Sequence, residues 1–230
     1  MPKRAASTKA IIFDIGRVIV RVNLNRLLEP LAALVPAVAS AGAHASEKLS
    51  PQQVWSAIES DPRWPDWQEG RMTAPQWHEH LTARLRVTIG YAEFCEAWNR
   101  ALDPEPILEE ALFEKLANHY RLALLSNTDP LHSAHMESRF AFMKHFPVRI
   151  YSCRVGASKP SPAIYAAALN ALGILPADAL YIDDIPEYAT AAQRLGLDAI
   201  RFESRTQLLE QLASRGLLAE APSPPSPPSQ

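Results

Sequence analysis

The feature that most constrains the fold is a series of short apolar runs separated by stretches of helical periodicity. The apolar runs lie within 9–20, 121–125 and 179–182, with shorter candidates at 148–152 and 199–202. The helical stretches lie at 105–119, 161–172, 186–195 and 205–215. Continuous apolar runs of this length are typical of buried parallel strands. Their alternation with helices predicts an α/β fold, a three-layer Rossmann-like core with a parallel sheet.

Residues 24–103 interrupt this alternation after the first strand. They contain no convincing strand and show helical periodicity at 50–60, 74–86 and 91–101. We therefore expect a small helical cap at 24–103, and a core domain formed by residues 1–23 and 104–217. The Ala-rich part at 37–48 has little to hold it and is expected to be mobile. The Pro/Ser-rich tail at 218–230 has no means of burying a core and is expected to be disordered.

Composition argues against several classes of function. The formal net charge of −2 does not suit sequence-independent nucleic-acid binding, which needs a basic face. No apolar run is long enough to span a bilayer, and no signal-type apolar segment follows the N-terminus. Cys95 and Cys153 cannot build a disulfide framework. The eight glycines do not cluster into a nucleotide-binding loop. We expect a cytoplasmic protein that binds neither nucleic acid nor membrane.

The ends of the first three strands carry the candidate catalytic side chains. In an open parallel sheet, ligands bind beyond the carboxyl ends of the strands. The candidates there are Asp14, Ser126, Asn127, Asp183 and Asp184, with Lys159 in a loop before a helix. If these strands are neighbours, three carboxylates, an ammonium and a hydroxyl converge, which suits a hard cation and a phosphate. Magnesium would offset the repulsion among the carboxylates and hold a phosphate oxygen.

Four motifs, in order, resemble those of the haloacid dehalogenase-like (HAD) hydrolase superfamily. They are Phe-Asp-Ile-Gly-Arg-Val-Ile-Val (13–20), Leu-Leu-Ser-Asn-Thr-Asp (124–129), Ser-Lys-Pro-Ser-Pro-Ala-Ile-Tyr (158–165) and Tyr-Ile-Asp-Asp-Ile-Pro-Glu (181–187). The insertion is placed like the helical C1 cap of subfamily IA. The first two motifs, with Leu-His at 131–132, look closest to bacterial sugar-phosphate phosphatases such as the α-D-glucose-1-phosphate phosphatases, and to the N-terminal phosphatase domain of epoxide hydrolases.

The resemblance implies a role for each candidate residue. Asp14 would attack phosphorus and form an aspartyl-phosphate, while Lys159 would hold the nucleophile and neutralise charge on the phosphoryl group. Ser126 would donate a hydrogen bond to a phosphoryl oxygen. Asn127 would fix the loop or contact the phosphate. Magnesium would be held by Asp14, Asp183, Asp184 and the backbone carbonyl of Gly16.

Gly16 is also where the sequence departs from most phosphatases of the superfamily, which carry there an Asp that protonates the leaving oxygen. Loss of such a group typically lowers the rate by about 10²–10⁴-fold. Three alternatives follow: another group replaces it, the leaving group needs little protonation, or the reaction differs, as in metal-independent 2-haloacid dehalogenation. A non-catalytic interaction protein is a fourth, although folding alone has no need for the buried charges that this site would gather.

The sequence therefore predicts Mg²⁺-dependent hydrolysis of a small phosphate monoester, with sugar phosphates as the first choice, by a monomer or a homodimer. The cap is expected to select the substrate by closing over it. Trp77 and Trp98 are expected to pack in the cap core, whereas Trp64 and Trp67 are split evenly between packing and substrate contact. His132 follows the Ser126 loop and is placed to reach the site.

Overall fold

The computed structural model describes residues 8–36, 38–39 and 46–218. It has the predicted α/β core, built on one sheet of five parallel strands. The strands are β1 (Ala10–Phe13), β6 (Arg121–Ser126), β7 (Val148–Tyr151), β8 (Ala179–Asp183) and β9 (Asp198–Arg201), in the order β7-β6-β1-β8-β9. Because β1 pairs with both β6 and β8, the polar residues that follow these three strands meet at one edge of the sheet.

Helices cover both faces of the sheet, which gives three layers. One face packs against α6 (Glu110–Ala117), α7 (Pro130–Arg139), α11 (Arg205–Ser214) and the 3₁₀ turn Ala141–His145. The other packs against α9 (Pro162–Leu172) and α10 (Pro186–Arg194), while α8 (Ser152–Val155) and the 3₁₀ turn Pro176–Asp178 are short connections. Successive residues of β1 alternate between the two layers, with Ile11 and Phe13 in the first cluster and Ala10 and Ile12 in the second.

Five of the described helices lie within the insertion at 24–103. They are α1 (Asn25–Leu34), α2 (Pro51–Glu59), α3 (Trp64–Gln68), α4 (Ala74–Leu85) and α5 (Tyr91–Asn99). Capping boxes begin two of them: Ser50 pairs with Gln53, and Thr73 pairs with Gln76, which satisfies backbone N–H groups that the first turn leaves free. These inserted helices share an apolar cluster of their own, distinct from the two that flank the sheet.

The chain leaves the core and returns to it through a pair of antiparallel strands, β2 (Val20–Val22) and β5 (Leu102–Pro106). The helix expected over 105–119 is therefore wrong at its start, because α6 begins only at Glu110. Pro104 and Pro106 explain the difference, since proline lacks a backbone N–H and disfavours helical geometry in the residue before it.

Other boundaries shift by a residue or two, and some elements were not predicted. Helices α1, α3 and α7 are additional, and the strand expected at 148–152 ends before Ser152, which begins α8. The expectation of no strand within 24–103 is wrong in two places: β3 (Val38–Ala39) pairs with β4 (Ser46–Glu47), and β5 begins at Leu102. Most of the Ala-rich part at 37–48 and nearly all of the tail lie outside the described residues. Among the helices described, none is long and apolar enough to cross a membrane.

Besides the β2–β5 pair, the end of α3 also contacts the core. The hydroxyl oxygen of Ser152 lies 2.7 Å from the carbonyl oxygen of Gln68 and 3.0 Å from that of Thr128, and it accepts a hydrogen bond from the N–H of Thr128 at 2.9 Å. Next to it, Gly70 has a left-handed φ of 69°, and a Cβ there would lie 1.9 Å from the carbonyl oxygen of Cys153. Only glycine permits this close approach of the two backbones.

Candidate active site

Three carboxylates meet at the carboxyl edge of the sheet. The N–H of Asp14 donates to the carbonyl oxygen of Ile182 at 2.8 Å, which places Asp14 beside the end of β8, where Asp183 and Asp184 follow one another. Carboxylate oxygens of the three aspartates lie within 4.8 Å of one another. Asp14 and Asp183 are buried and Asp184 is half-buried. The structure thus gathers the three predicted carboxylates at one point.

The buried side chain of Lys159 joins two of these carboxylates. Its Nζ donates to Oδ1 of Asp14 and to Oδ2 of Asp183, each at 2.7 Å, and to the carbonyl oxygen of Leu125 at 3.2 Å. Burial by itself would lower the pKa of Lys159, but the charges and hydrogen bonds of the two carboxylates outweigh it and raise the pKa above its ordinary value. Lys159 therefore remains a cation at the centre of the cluster.

One ammonium does not balance three carboxylates. Burial raises the pKa of Asp14 to about 7. The ammonium of Lys159 lowers this pKa, but the negative charges of Asp183 and Asp184 raise it and oppose the effect of Lys159. Burial and the charge of Asp183 also raise the pKa of Asp184, against the opposing charge of Arg17. Desolvated carboxylate oxygens at this spacing fit a hard divalent cation such as Mg²⁺, which would hold them ionised.

The orientation of Asp183 is held by its neighbours. The hydroxyl of Tyr181 donates a short hydrogen bond to Oδ2 of Asp183, and the N–H of Ile185 donates to Oδ1 at 2.8 Å. With Lys159 on Oδ2 as well, both oxygens of this fully buried carboxylate are engaged.

Asn127 fixes the loop that carries Lys159. Its Oδ1 accepts from the N–H of Lys159 at 2.7 Å, and its Nδ2 donates to the carbonyl oxygen of Lys159 at 3.0 Å and to the hydroxyl of Tyr188 at 3.4 Å. Both ends of the amide are therefore used within the protein. Of the two roles expected for Asn127, these contacts favour loop fixation over phosphate contact. Ser126, which ends β6, is buried.

A cavity of about 230 Å³ opens beside the carboxylate cluster. Six of the core residues expected in the site line this cavity: Asp14, Gly16, Ser126, Asn127, Lys159 and Asp184. Asp183 is set behind them. The inserted helices complete the lining with Leu27, Trp55, Trp64, Gln68 and Trp98. The sequence motifs and the insertion therefore share one cavity.

The tryptophans divide between the core of the insertion and the cavity wall. Trp98 is buried, as expected of a core residue, but it also lines the cavity. Trp64 lines the cavity, whereas Trp67 is buried and stacks on Trp77 with ring centroids 5.6 Å apart. Trp55 was not singled out from the sequence at all, because nothing in its local pattern reveals which side of α2 faces the core.

A hydrogen-bonded network at the cavity wall links the core to α5. Trp98 Nε1 donates to Oδ2 of Asp129 at 3.0 Å, and Oδ1 of Asp129 accepts from the N–H groups of Leu131 and His132, both at 2.9 Å. His132 Nδ1 lies 3.0 Å from Oδ2 of Asp129, and its Nε2 donates to the carbonyl oxygen of Trp98 at 2.9 Å. His132 thus reaches the site as expected. Asp129 was missed, although Asp-Pro is a typical start of a helix.

Comparison with known families and proteins agrees with this geometry. A family model described as haloacid dehalogenase-like hydrolase matches residues 8–196. A phosphatase of Mycobacterium tuberculosis is 28% identical over 143 residues, which cover 60% of this chain and 63% of that protein. Flavin mononucleotide hydrolase 1 of Arabidopsis thaliana is 25% identical over 115 residues, 50% of this chain and 46% of that protein. The chain thus spans less than two thirds of these curated relatives.

Solved structures share the fold. A HAD family enzyme of Bacteroides thetaiotaomicron, in complex with magnesium and inorganic phosphate, superposes with a TM-score of 0.73 at 21% identity, covering 87% of this chain and 98% of that one. The L-2-haloacid dehalogenase of Xanthobacter autotrophicus superposes with a TM-score of 0.58 at 20% identity, covering 93% and 85%.

Proposed function

Because the chain belongs to the haloacid dehalogenase-like hydrolase family, we propose that it hydrolyses a small phosphate monoester with the help of Mg²⁺, through an aspartyl-phosphate on Asp14. The observation that supports this most is the buried cluster in which the Lys159 ammonium joins Asp14 to Asp183, each at 2.7 Å. The cluster lies beside a cavity that Ser126 also lines.

In the first step, a carboxylate oxygen of Asp14 forms a bond to phosphorus while the bond from phosphorus to the leaving oxygen breaks. Lys159 orients the nucleophile and neutralises charge that gathers on the phosphoryl oxygens. The Ser126 hydroxyl donates a hydrogen bond to one of them. Asn127 acts through Lys159, by holding the loop that carries it. The oxygen of a water molecule then forms a bond to phosphorus while the bond from phosphorus to the Asp14 oxygen breaks, which releases inorganic phosphate and restores the Asp14 carboxylate.

Asp14, Asp183, Asp184 and the carbonyl oxygen of Gly16 would hold the magnesium ion. When bound, Mg²⁺ withdraws charge from the phosphoryl group and balances the carboxylates that Lys159 alone does not balance. The magnesium and phosphate named for the Bacteroides enzyme support this assignment by analogy of fold.

We further propose that residues 24–103 act as a cap over a core of residues 1–23 and 104–217. The protein would work in the cytoplasm, as a monomer or homodimer, and its substrate would be a small phosphorylated molecule. Sugar phosphates are the first choice that the motif resemblance suggests. Metal-independent dehalogenation and a non-catalytic role remain the alternatives, but neither explains why the buried carboxylate of Asp183 and the half-buried one of Asp184 are gathered beside Asp14.

The test measures phosphate release from p-nitrophenyl phosphate and halide release from 2-chloropropionate, with EDTA and with excess Mg²⁺. We expect phosphate release that EDTA removes and magnesium restores, and that Asp14→Asn reduces to background. Asp178→Asn is the control and should keep full activity, because Asp178 directly precedes β8 and so lies at the amino ends of the strands, away from the site. Metal-independent halide release would establish the dehalogenase instead, and no turnover of either substrate class would support the non-catalytic alternative.

A further inference from the structure

The part of the cavity lining that the inserted helices contribute is apolar and aromatic. Its side chains are Leu24, Leu27, Trp55, Trp64 and Trp98, and Leu102 of β5 extends it. Among the described residues of this wall, and apart from indole nitrogens, Gln68 is the single hydrogen-bonding side chain. A substrate that enters this space must therefore present mostly apolar surface to it.

Two polar side chains next to this wall, Asp129 and His132, are already engaged. Asp129 receives hydrogen bonds at both carboxylate oxygens, from the Trp98 indole and from two backbone N–H groups. His132 faces an acceptor at each ring nitrogen, the Asp129 carboxylate and the Trp98 carbonyl. Neither residue is free to pair with a substrate hydroxyl. Against this wall a sugar would lose several hydrogen bonds to water and gain only those that Gln68 offers, which is costly.

The aromatic rings form a continuous surface. Trp55 and Trp64 meet edge to face with centroids 5.7 Å apart, and Trp64 lies 6.5 Å from Trp98. Trp55 and Trp64 are only partly buried, so they retain surface to offer to a ligand. The cavity of about 230 Å³ is smaller than the roughly 300–1,000 Å³ usual for drug-sized ligands, so it fits a leaving group of about one ring.

From these contacts, and resting on the proposed phosphatase activity, we infer that the substrate is a phosphate monoester of a small, flat, apolar alcohol or phenol. Its ring lies against Trp55 and Trp64, and Gln68 contacts its polar substituent. A phenol is also consistent with the absence of an acidic side chain at Gly16, because a phenoxide leaves with less need of a proton than an alkoxide. The inferred substrate class therefore differs from the sugar phosphates that the motif resemblance suggests.

The experiment compares kcat/KM for benzyl phosphate and glucose 6-phosphate. Both have primary alkoxide leaving groups, so the comparison isolates the apolar ring from the acidity of the leaving group. We expect benzyl phosphate to be favoured by about tenfold or more, since pocket complementarity of this kind is typically worth that much. Trp55→Ala should remove most of the preference and Trp55→Phe should retain it, while Tyr91→Ala, an exposed aromatic of the same helical insertion, should leave it unchanged.

Thermal unfolding of each variant separates substrate contact from loss of folding. A loss of the benzyl preference in folded Trp55→Ala supports the inference. Equal or better turnover of glucose 6-phosphate by the wild-type protein overturns it, and so does a Trp55→Ala variant that slows both substrates equally. In either case, activity that depends on Asp14 and Mg²⁺ would leave the phosphatase assignment standing, whereas no activity on any ester would defeat that assignment first.

Discussion

His132 lies with Nδ1 3.0 Å from Oδ2 of Asp129, three residues before it in the chain. Burial lowers the pKa of His132, but the charge of Asp129 and the carbonyl of Trp98 outweigh burial and raise it above the ordinary 6.5. Burial likewise opposes ionisation of Asp129, yet His132 and the surrounding donors lower the pKa of that carboxyl below 3.8. The pair therefore makes the contact between α7 and α5 depend on pH.

The first prediction concerns this pair. The raised pKa of His132 means that its contribution to stability is fully present below about pH 6.5 and is lost as the pH rises through the folded-state pKa. The contribution of Asp129 is present above 3.8 and is lost only in acid. His132→Gln should lower the free energy of unfolding by about 1–3 kcal/mol at pH 5.5 and by less at pH 9.

Urea unfolding at the two pH values measures this difference. His119→Gln is the control, because His119 is exposed and a surface substitution should change the free energy by no more than about 0.5 kcal/mol. An equal loss for His132→Gln at pH 5.5 and pH 9 would show that charge has no part in the contact.

The second prediction concerns the close approach at Gly70. A Cβ there would lie 1.9 Å from Cys153 O, so Gly70→Ala must push α3 away from the core. We expect a loss of about 3 kcal/mol or more in unfolding free energy, the scale of strain combined with disrupted packing. Gly156→Ala is the matched control: its φ of 72° is similar, but a Cβ there meets nothing within 4 Å, so it should cost only about 1 kcal/mol. Equal losses in the two variants would contradict the docking role.

The third prediction concerns the missing acid. A Cβ at Gly16 would meet only Val22 Cγ2, at an ordinary 3.5 Å, so Gly16→Asp should fold. If the proposed reaction lacks a general acid, this variant should raise kcat for an alkyl phosphate such as glycerol phosphate by up to about 10²-fold. The rate for p-nitrophenyl phosphate should change little. Gly16→Asn has the same shape and no proton to give, so an equal gain in that variant would refute the explanation.

The fourth prediction concerns charge balance around Lys159. Lys159→Met leaves the Asp14, Asp183 and Asp184 carboxylates without their ammonium, and removal of one partner from a buried ion pair typically costs about 3–5 kcal/mol. In EDTA, the variant should unfold at a lower temperature than the wild-type protein. Magnesium should raise its unfolding temperature more than it raises that of the wild-type, because a bound cation replaces the lost charge. Lys9→Met, which removes an exposed ammonium, is the control. Equal magnesium shifts in Lys159→Met and wild-type would count against a shared cluster.

Much of the core was predictable from the sequence, for a physical reason. Buried parallel strands need continuous apolar runs, so β1, β6 and β8 were visible, and so were the polar residues at their ends. The order of the strands was not visible, and it is this order that places Asp14 next to Asp183. The late start of α6 was predictable in principle, since Pro104 and Pro106 mark it.

The cavity wall was much harder to predict. Whether Trp55 or Trp67 faces the cavity depends on how the inserted helices dock on the sheet, and no local pattern encodes that. The pairing of Trp98 with Asp129 joins residues 31 positions apart across that docking surface. Local signals revealed which residues have reactive groups, whereas the shape of the space around them arises only from tertiary packing.

The pairing of β2 with β5 has an evolutionary consequence. Because the outgoing and returning strands are hydrogen-bonded to each other, the two ends of the insertion are held about 5 Å apart, one strand spacing. An insertion of different sequence can keep the same strand pairing if its two ends match that gap. Exchange of the insertion would replace the part of the cavity wall that carries Trp55, Trp64 and Trp98, while Asp14 and Lys159 stay in place on the core.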